Sequence, residues 1–219
     1  GCGVSVQCSK RVRRMTLSTT WAGKAARFLG LVRAHVRSKR KSAAMTQLTM
    51  GAAAPDFSLP ATDGRTLSFA DVAGEAGTVV AFICNHCPYV VAAGRRMAED
   101  AKVLMGEGFG FVAINANDAA RYPADSFERM GPFAEGFGFG FPYLHDETQA
   151  VATAYGARVT PEFFGFDAAG KLGYLGRLDG AGTGRGDGGP RELVEAMRAL
   201  KTGQPVEGKP AMGCSVKWK

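Results

Sequence analysis

The chain has 219 residues and a formal net charge of +7, from 27 Lys or Arg and 20 Asp or Glu. Eleven of the basic residues and no acidic residue lie in residues 1–45, which leaves 16 basic against 20 acidic residues in the remainder. A mildly acidic main body does not favour binding to a phosphate backbone, and no apolar run approaches the roughly 18–20 residues that span a bilayer. We therefore expect neither nucleic acid nor a membrane as a partner.

The segment 1–47 is rich in Arg, Ser and Thr and contains no Asp or Glu, a composition typical of organellar targeting peptides. Because the chain begins with Gly1 and holds Met45 and Met50, the segment could instead be upstream translated sequence that is not native. A basic arm that binds RNA or lipid is a third interpretation. We expect a disordered extension followed by one folded domain over residues 48–219. The expected location is cytoplasmic, or mitochondrial or chloroplast if the extension is a true transit peptide.

Beyond the extension, strands and helices are predicted to alternate. In chain order, the predicted elements begin with a hairpin around Asp63-Gly64, a buried strand at 78–83, a helix at 90–104 and a strand at 109–115. A helix at 126–135 follows, which Pro132 should interrupt or kink. The remaining predicted elements are a strand at 141–144, a helix at 148–155 that Gly156 ends, two strands at 163–166 and 173–177, and a helix at 190–201. This order predicts an α/β fold with a mixed central sheet flanked by helices.

Five cysteines in a chain of this length point to redox or metal chemistry in a reducing compartment rather than to a secreted disulfide framework. Cys2 and Cys8 lie in the extension and are assigned no role. Cys84 and Cys87 form a C-x-x-C pair. Cys214 stands alone near the end of the chain, where it could resolve a mixed disulfide or protect Cys84, or simply pack as a small apolar residue.

The C-x-x-C pair lies where a predicted buried strand meets a helix, an arrangement that makes a thiol reactive. Free N–H groups and the dipole at a helix N-terminus favour a thiolate there. Asn85 is predicted to cap the helix, Pro88 suits its first turn, and a protonated His86 would lower the pKa of the thiols further. Two alternatives stay open, namely metal binding through Cys84, His86 and Cys87, and a pair of buried, inert cysteines.

The surroundings of the pair resemble the peroxiredoxin-like branch of the thioredoxin superfamily, a redoxin group that includes alkyl hydroperoxide reductases and thiol-specific antioxidants. The matching runs follow one another in order: Ala54-Pro55-Asp56-Phe57, residues 79–90, residues 141–149, Tyr155-Gly156-Ala157, residues 160–164 and residues 213–219. The resemblance implies a thioredoxin-like fold, with Cys84 as the exposed attacking thiolate and Cys87 as its more buried partner. It also implies that Thr160-Pro161 forms a cis-proline loop facing the disulfide, where Pro161 blocks metal capture and the Thr160 backbone pairs with a bound substrate chain.

Three departures from related enzymes qualify the resemblance. Thioredoxin keeps a buried acid six residues before its attacking cysteine, and Thr78 occupies that position. The peroxiredoxin motif P-x-x-x-[ST]-x-x-C, counted back from Cys87, places Cys84 at the Ser or Thr position and Val80 at the Pro position. The arginine that polarises peroxide in those enzymes has no counterpart. These departures disfavour a peroxiredoxin-type peroxidase.

We therefore predict a thiol–disulfide oxidoreductase in redox homeostasis or antioxidant defence, working without a cofactor or a metal. Cys84 would attack a protein or small-molecule disulfide, Cys87 would resolve the mixed disulfide, and an external thiol reductant would restore the pair. The predicted supporting residues of the two cysteines are His86, Thr160 and Pro161. The alternatives are a peroxide reductase acting on a hydroperoxide and, in another class, a metal-binding or docking protein.

Overall fold

The computed structural model describes residues 46–184 and 189–219, together with Gly1 and Gly3. The predicted extension over residues 1–47 therefore lies almost wholly outside the described residues, and its disorder stays a prediction.

Strands and helices alternate along most of the described chain, as predicted. The strands are β1 Ser58–Pro60, β2 Thr66–Ser68, β3 Thr78–Phe82, β4 Gly110–Asn115, β5 Tyr143–His145, β6 Val159–Thr160, β7 Glu162–Phe166, β8 Leu172–Gly176 and β9 Cys214–Ser215. The helices are α1 Phe69–Val72, α2 Pro88–Gly106, α3 Phe127–Phe137, α4 Ala150–Tyr155 and α5 Glu192–Lys201. None of these helices combines the length and the apolar character needed to cross a membrane. The short α1, β6 and β9 were not predicted, because runs of two to four residues leave no periodicity to detect.

A five-stranded sheet forms the centre of the fold, with its strands in the order β5-β4-β3-β7-β8. β3, β4 and β5 run parallel to one another, whereas β7 lies antiparallel to β3 and β8 antiparallel to β7. β1 and β2 form the separate hairpin expected around Asp63-Gly64. The prediction of a mixed central sheet is confirmed.

Side chains of the central strands alternate between two apolar clusters, one on each face of the sheet. Val79 lies in the cluster that also contains Met97 of α2 and Met197 of α5. Phe82 lies in the other cluster, together with Tyr155 of α4 and apolar residues of the β1–β2 hairpin. All five residues of β3 are buried, as expected of a strand that is covered on both faces. The sheet is thus flanked by helices on both sides.

Of the two effects predicted for Pro132, interruption of the helix is wrong, because α3 continues through this residue to Phe137. A proline inside a helix forgoes one backbone hydrogen bond, the one to the carbonyl four residues earlier. Here that carbonyl belongs to Glu128, in the exposed first turn of α3, where water can satisfy it. The cost is therefore small enough for the helix to persist.

The C-terminal tail folds back onto the loop between α4 and β7. β9 pairs antiparallel with β6, so that Cys214 lies opposite Thr160 and Ser215 opposite Val159. Gly213 permits this close approach, since a Cβ atom there would lie 2.2 Å from the Thr160 carbonyl oxygen. The pairing brings the third cysteine of the described chain beside the residues predicted to face the C-x-x-C pair.

Candidate active site

The C-x-x-C motif lies between the end of β3 and the start of α2, as predicted. Cys87 is the N-cap of α2 and Pro88 its first residue, a position where the missing N–H costs nothing. Asn85 is not the cap, contrary to the prediction, because the helix begins too late to meet its side chain. Instead, Asn85 Nδ2 donates to the Ala124 carbonyl at 2.9 Å, and Asn85 Oδ1 accepts from the Tyr143 hydroxyl at 3.0 Å. Asn85 therefore ties the motif to the sheet and to the loop before α3.

The loop between α4 and β7 faces both cysteines. The Thr160–Pro161 peptide bond is cis, which confirms that prediction. Thr160 Oγ1 lies 3.3 Å from Cys84 Sγ, and Cys87 Sγ lies 3.0 Å from the Thr160 carbonyl oxygen, to which its thiol donates. One residue of the cis-proline loop thus positions both sulfur atoms.

Cys84 is not exposed, contrary to what the family resemblance implied. Both Cys84 and Cys87 are free thiols with 0% of their surface accessible to solvent. The strand-to-helix junction is covered, because the cis-proline loop and the tail strand β9 lie over it. Neither sulfur atom therefore lies at the protein surface in this conformation.

The surroundings shift the pKa values of the two buried thiols in opposite directions. A hydrogen bond from Cys84 lowers the pKa of Cys87 to about 4, although burial acts in the opposite direction. The same hydrogen bond, burial and the Asp125 carboxylate raise the pKa of Cys84. The contacts of Thr160 act against this order, because its carbonyl accepts from the Cys87 thiol and its hydroxyl lies 3.3 Å from Cys84 Sγ. The thiolate on Cys84 therefore stays a prediction.

Asp125 is the principal site residue that the sequence did not reveal. Its side chain is fully buried in the loop that precedes α3. Oδ1 accepts from the backbone N–H of Asn85 at 2.7 Å and of His86 at 3.3 Å, and Oδ2 accepts from Asn117 Nδ2 at 2.8 Å. This carboxylate fixes the middle of the C-x-x-C motif from outside it. No motif or periodicity marks Asp125, since its partners come from other segments.

His86 faces Asp125 rather than the sulfur atoms alone. His86 Nδ1 lies 2.6 Å from Asp125 Oδ2, and the imidazole stacks on the Tyr122 ring with centroids 5.4 Å apart and planes 3° apart. The Asp125 carboxylate would offset a positive charge on the His86 ring, and this weakens the predicted effect of His86 on the thiol pKa values.

Thr78 does not replace the buried acid of thioredoxin. Thr78 is the first residue of β3, whereas Cys84 follows the other end of that strand. Its hydroxyl accepts from the Gly74 N–H at 3.2 Å. The carboxylate that lies near Cys84 is instead that of Asp125.

Cys214 is half-buried and packs against the cluster that contains Cys84 and Cys87. Burial and its hydrogen bond to Cys87 raise the pKa of Cys214. The structure thus brings together every residue predicted for the site, namely Cys84, Cys87, His86, Thr160, Pro161 and Cys214.

A surface pocket of about 460 Å³ opens at the start of α2, where Pro88 forms part of its wall. Val91, Arg95 and Phe137 also line it, and the Val91 side chain is exposed. The pocket therefore offers apolar surface and a cationic side chain next to the residue that follows Cys87.

A mixed sheet between helices, with a C-x-x-C pair that faces a cis-proline, defines a redox enzyme of the thioredoxin superfamily. Residues 50–175 match the model of the AhpC/TSA family, which is more than half of the chain. The chain belongs to the AhpC/TSA family. This confirms the resemblance to redoxins that the sequence motifs indicated.

Individual relatives agree with that assignment. A crystal structure of an uncharacterized conserved protein from Geobacillus kaustophilus aligns with a TM-score of 0.75 and 44% identity, over 80% of this chain and 94% of that one. The thiol–disulfide oxidoreductase ResA of Geobacillus thermodenitrificans is 30% identical over 127 residues, which cover 58% of this chain and 68% of that protein. The Mycobacterium tuberculosis (strain H37Rv) protein named "Putative peroxiredoxin Rv2521" is 31% identical over 120 residues, which cover 55% of this chain and 71% of that protein.

Proposed function

We propose that this enzyme exchanges electrons with disulfides through Cys84 and Cys87, which cycle between a dithiol and a disulfide. The observation that carries the proposal is the contact of Thr160 with both sulfur atoms, 3.3 Å to Cys84 and 3.0 Å to Cys87. A thiol and a thiolate held against one residue of the cis-proline loop are placed to form a small disulfide ring. The similarity to ResA of Geobacillus thermodenitrificans, which is named a thiol–disulfide oxidoreductase, supports the same reaction class.

For the roles within the pair, we propose that Cys87 reacts first, because its pKa is lowered to about 4. The thiolate of Cys87 attacks a substrate disulfide and forms a mixed disulfide, with release of one substrate thiolate. Cys84 then loses its proton and displaces the second substrate thiolate from Cys87, which leaves a Cys84–Cys87 disulfide. An external thiol reductant, whether protein or small molecule, donates two electrons to restore the dithiol. The roles are reversed from those that the family resemblance implied.

Peroxide is a less suitable oxidant than a disulfide for this site. Peroxide reduction needs an ionised, accessible thiol with a cationic neighbour. Cys84 and Cys87 are instead both buried, and the Asp125 carboxylate rather than a cation lies beside Cys84. We therefore propose disulfide exchange as the activity and slow reaction with peroxide.

Disulfide mapping tests the proposal on the full chain. After treatment with an oxidised small dithiol, we expect peptide mass spectrometry to find Cys84 joined to Cys87, with Cys214 open to alkylation. Reducing agent should restore both thiols, and hydrogen peroxide should produce the same disulfide much more slowly. A Cys84→Ser variant, which cannot form this disulfide, is the control that identifies the two cysteines involved. Persistence of free Cys84 and Cys87 under the oxidising conditions would rule out the dithiol cycle.

Metal binding is a second candidate, and one observation favours it. Ligand atoms of Cys84, His86 and Asp125 all lie within 4.8 Å of one another, and sulfur, imidazole and carboxylate are the donors that Zn²⁺ takes in proteins. This set contains Asp125 in place of Cys87, the third ligand expected from the sequence. In enzyme purified under reducing conditions, we expect far less than one equivalent of zinc. A full equivalent that disappears in an Asp125→Asn variant would favour the metal site over the redox pair.

A further inference from the structure

Cys214 reaches the redox pair from a distant part of the chain. It lies opposite Thr160 in the β6–β9 ladder, and Thr160 is the residue that contacts both Cys84 and Cys87. Cys214 also packs against the apolar cluster that contains Cys84 and Cys87. The three cysteines of the described residues therefore meet around Thr160.

The three thiols differ in their access to solvent. Cys84 and Cys87 have no accessible surface, whereas Cys214 is only half-buried. A disulfide between Cys84 and Cys87 would be less accessible to an external thiol than Cys214, because the cis-proline loop and β9 lie over the pair. A Cys214 sulfur that is joined to Cys87 would instead be open to attack.

We infer that Cys214 is the solvent-side member of a three-thiol relay, through which an external thiol reductant regenerates the oxidised Cys84–Cys87 pair. The inference rests on the proposed function, because it needs a Cys84–Cys87 disulfide as its starting point. Strand β9 would then hold the cysteine with which the reductant reacts. That reductant is a thiol, carried by a small molecule or by a protein.

The relay consists of thiol–disulfide exchanges that balance. The Cys214 thiolate attacks the Cys87 sulfur, which forms a Cys87–Cys214 disulfide and releases the Cys84 thiolate to take up a proton. An external thiolate then attacks the Cys214 sulfur and releases Cys87, whose low pKa makes it a good leaving group. A second external thiolate attacks the external sulfur and frees Cys214. Two external thiols are oxidised to one disulfide, and the Cys84–Cys87 disulfide is reduced to two thiols.

Trapping the intermediate tests the first step. A Cys84→Ser variant cannot form the Cys84–Cys87 disulfide, which leaves Cys214 as the partner for Cys87. The Ser hydroxyl preserves a hydrogen-bond donor beside Cys87. After oxidation by an oxidised small dithiol, we expect peptide mass spectrometry to find Cys87 joined to Cys214. If Cys87 and Cys214 stay unlinked in this variant, the relay is wrong, and the dithiol proposal is unaffected as long as the native enzyme forms its Cys84–Cys87 disulfide.

The rate of reduction tests the second step. We expect the Cys84–Cys87 disulfide of a Cys214→Ser variant to be reduced by dithiothreitol at least about tenfold more slowly than in the native enzyme. Ser215→Ala is the matched control, because it changes the neighbouring residue of β9 without removing a sulfur. An unchanged rate in Cys214→Ser contradicts the relay. Absence of any Cys84–Cys87 disulfide in the native enzyme contradicts the proposed function instead.

Discussion

Replacing Cys87 by Ser is expected to abolish disulfide reductase turnover, by at least about a thousandfold, because a hydroxyl is no substitute for a thiolate nucleophile. The same change should remove the thiolate of the reduced enzyme. The pKa of Cys87 is lowered to about 4, so its thiolate should appear as the pH rises through that value and persist at neutral pH. The measurements are a disulfide reductase assay and the ultraviolet absorbance of the thiolate as a function of pH.

Cys84→Ser is the informative comparison for that result. It should lose turnover as fully as Cys87→Ser, because the mixed disulfide can no longer be resolved. It should nevertheless keep the thiolate absorbance at neutral pH, since the Ser hydroxyl can still donate to Cys87. A Cys84→Ala variant lacks that donor, so its Cys87 thiolate should appear at higher pH. Loss of the neutral-pH thiolate in Cys84→Ser but not in Cys87→Ser would show that Cys84 is the anion.

Replacing Asp125 by Ala is expected to destabilise the enzyme by about 3 kcal/mol, because it leaves several buried donors without an acceptor. The orphaned groups are the backbone N–H groups of Asn85 and His86 and the side-chain amide of Asn117. Denaturant unfolding of the reduced enzyme measures the change. The C-x-x-C motif should also lose its fixed position, so turnover should fall even where the enzyme remains folded.

Asp125→Asn separates the charge of this residue from its shape. The amide oxygen retains one acceptor, so the loss of stability should be smaller than in Asp125→Ala. Because the Asp125 carboxylate raises the pKa of Cys84, the neutral amide should lower that pKa and speed the alkylation of Cys84. Equal alkylation rates of Cys84 in the native enzyme and in Asp125→Asn would show that the carboxylate has no electrostatic effect on the thiol.

Elements with local causes were predictable. The Asp63-Gly64 turn produces its hairpin from neighbouring residues alone, and the apolar run of β3 marks a strand covered on both faces. The position of Cys84 and Cys87 at a strand-to-helix junction also followed from adjacent residues. The cis bond before Pro161 followed only from the resemblance to redoxins, since most bonds before proline are trans.

The errors came from effects that neighbouring residues do not determine. Asn85 suits a cap by residue type, yet the helix starts at Pro88 and its side chain turns to Ala124 and Tyr143. Pro132 is a helix breaker by type, yet the exposed turn before it tolerates the missing hydrogen bond. In each case the surroundings outweighed the intrinsic preference of the residue.

The sequence by itself determined the class of chemistry, because a C-x-x-C pair before a helix needs only local geometry to make a reactive dithiol. Only the tertiary structure decided which groups influence the ionisation of the pair and how far solvent has access to it. Asp125 and Cys214 approach it from segments far apart in the chain, the first as a carboxylate that disfavours an anion on Cys84 and the second as a half-buried third thiol. Electrostatic interaction and solvent access depend on distance in space, which no spacing along the chain specifies.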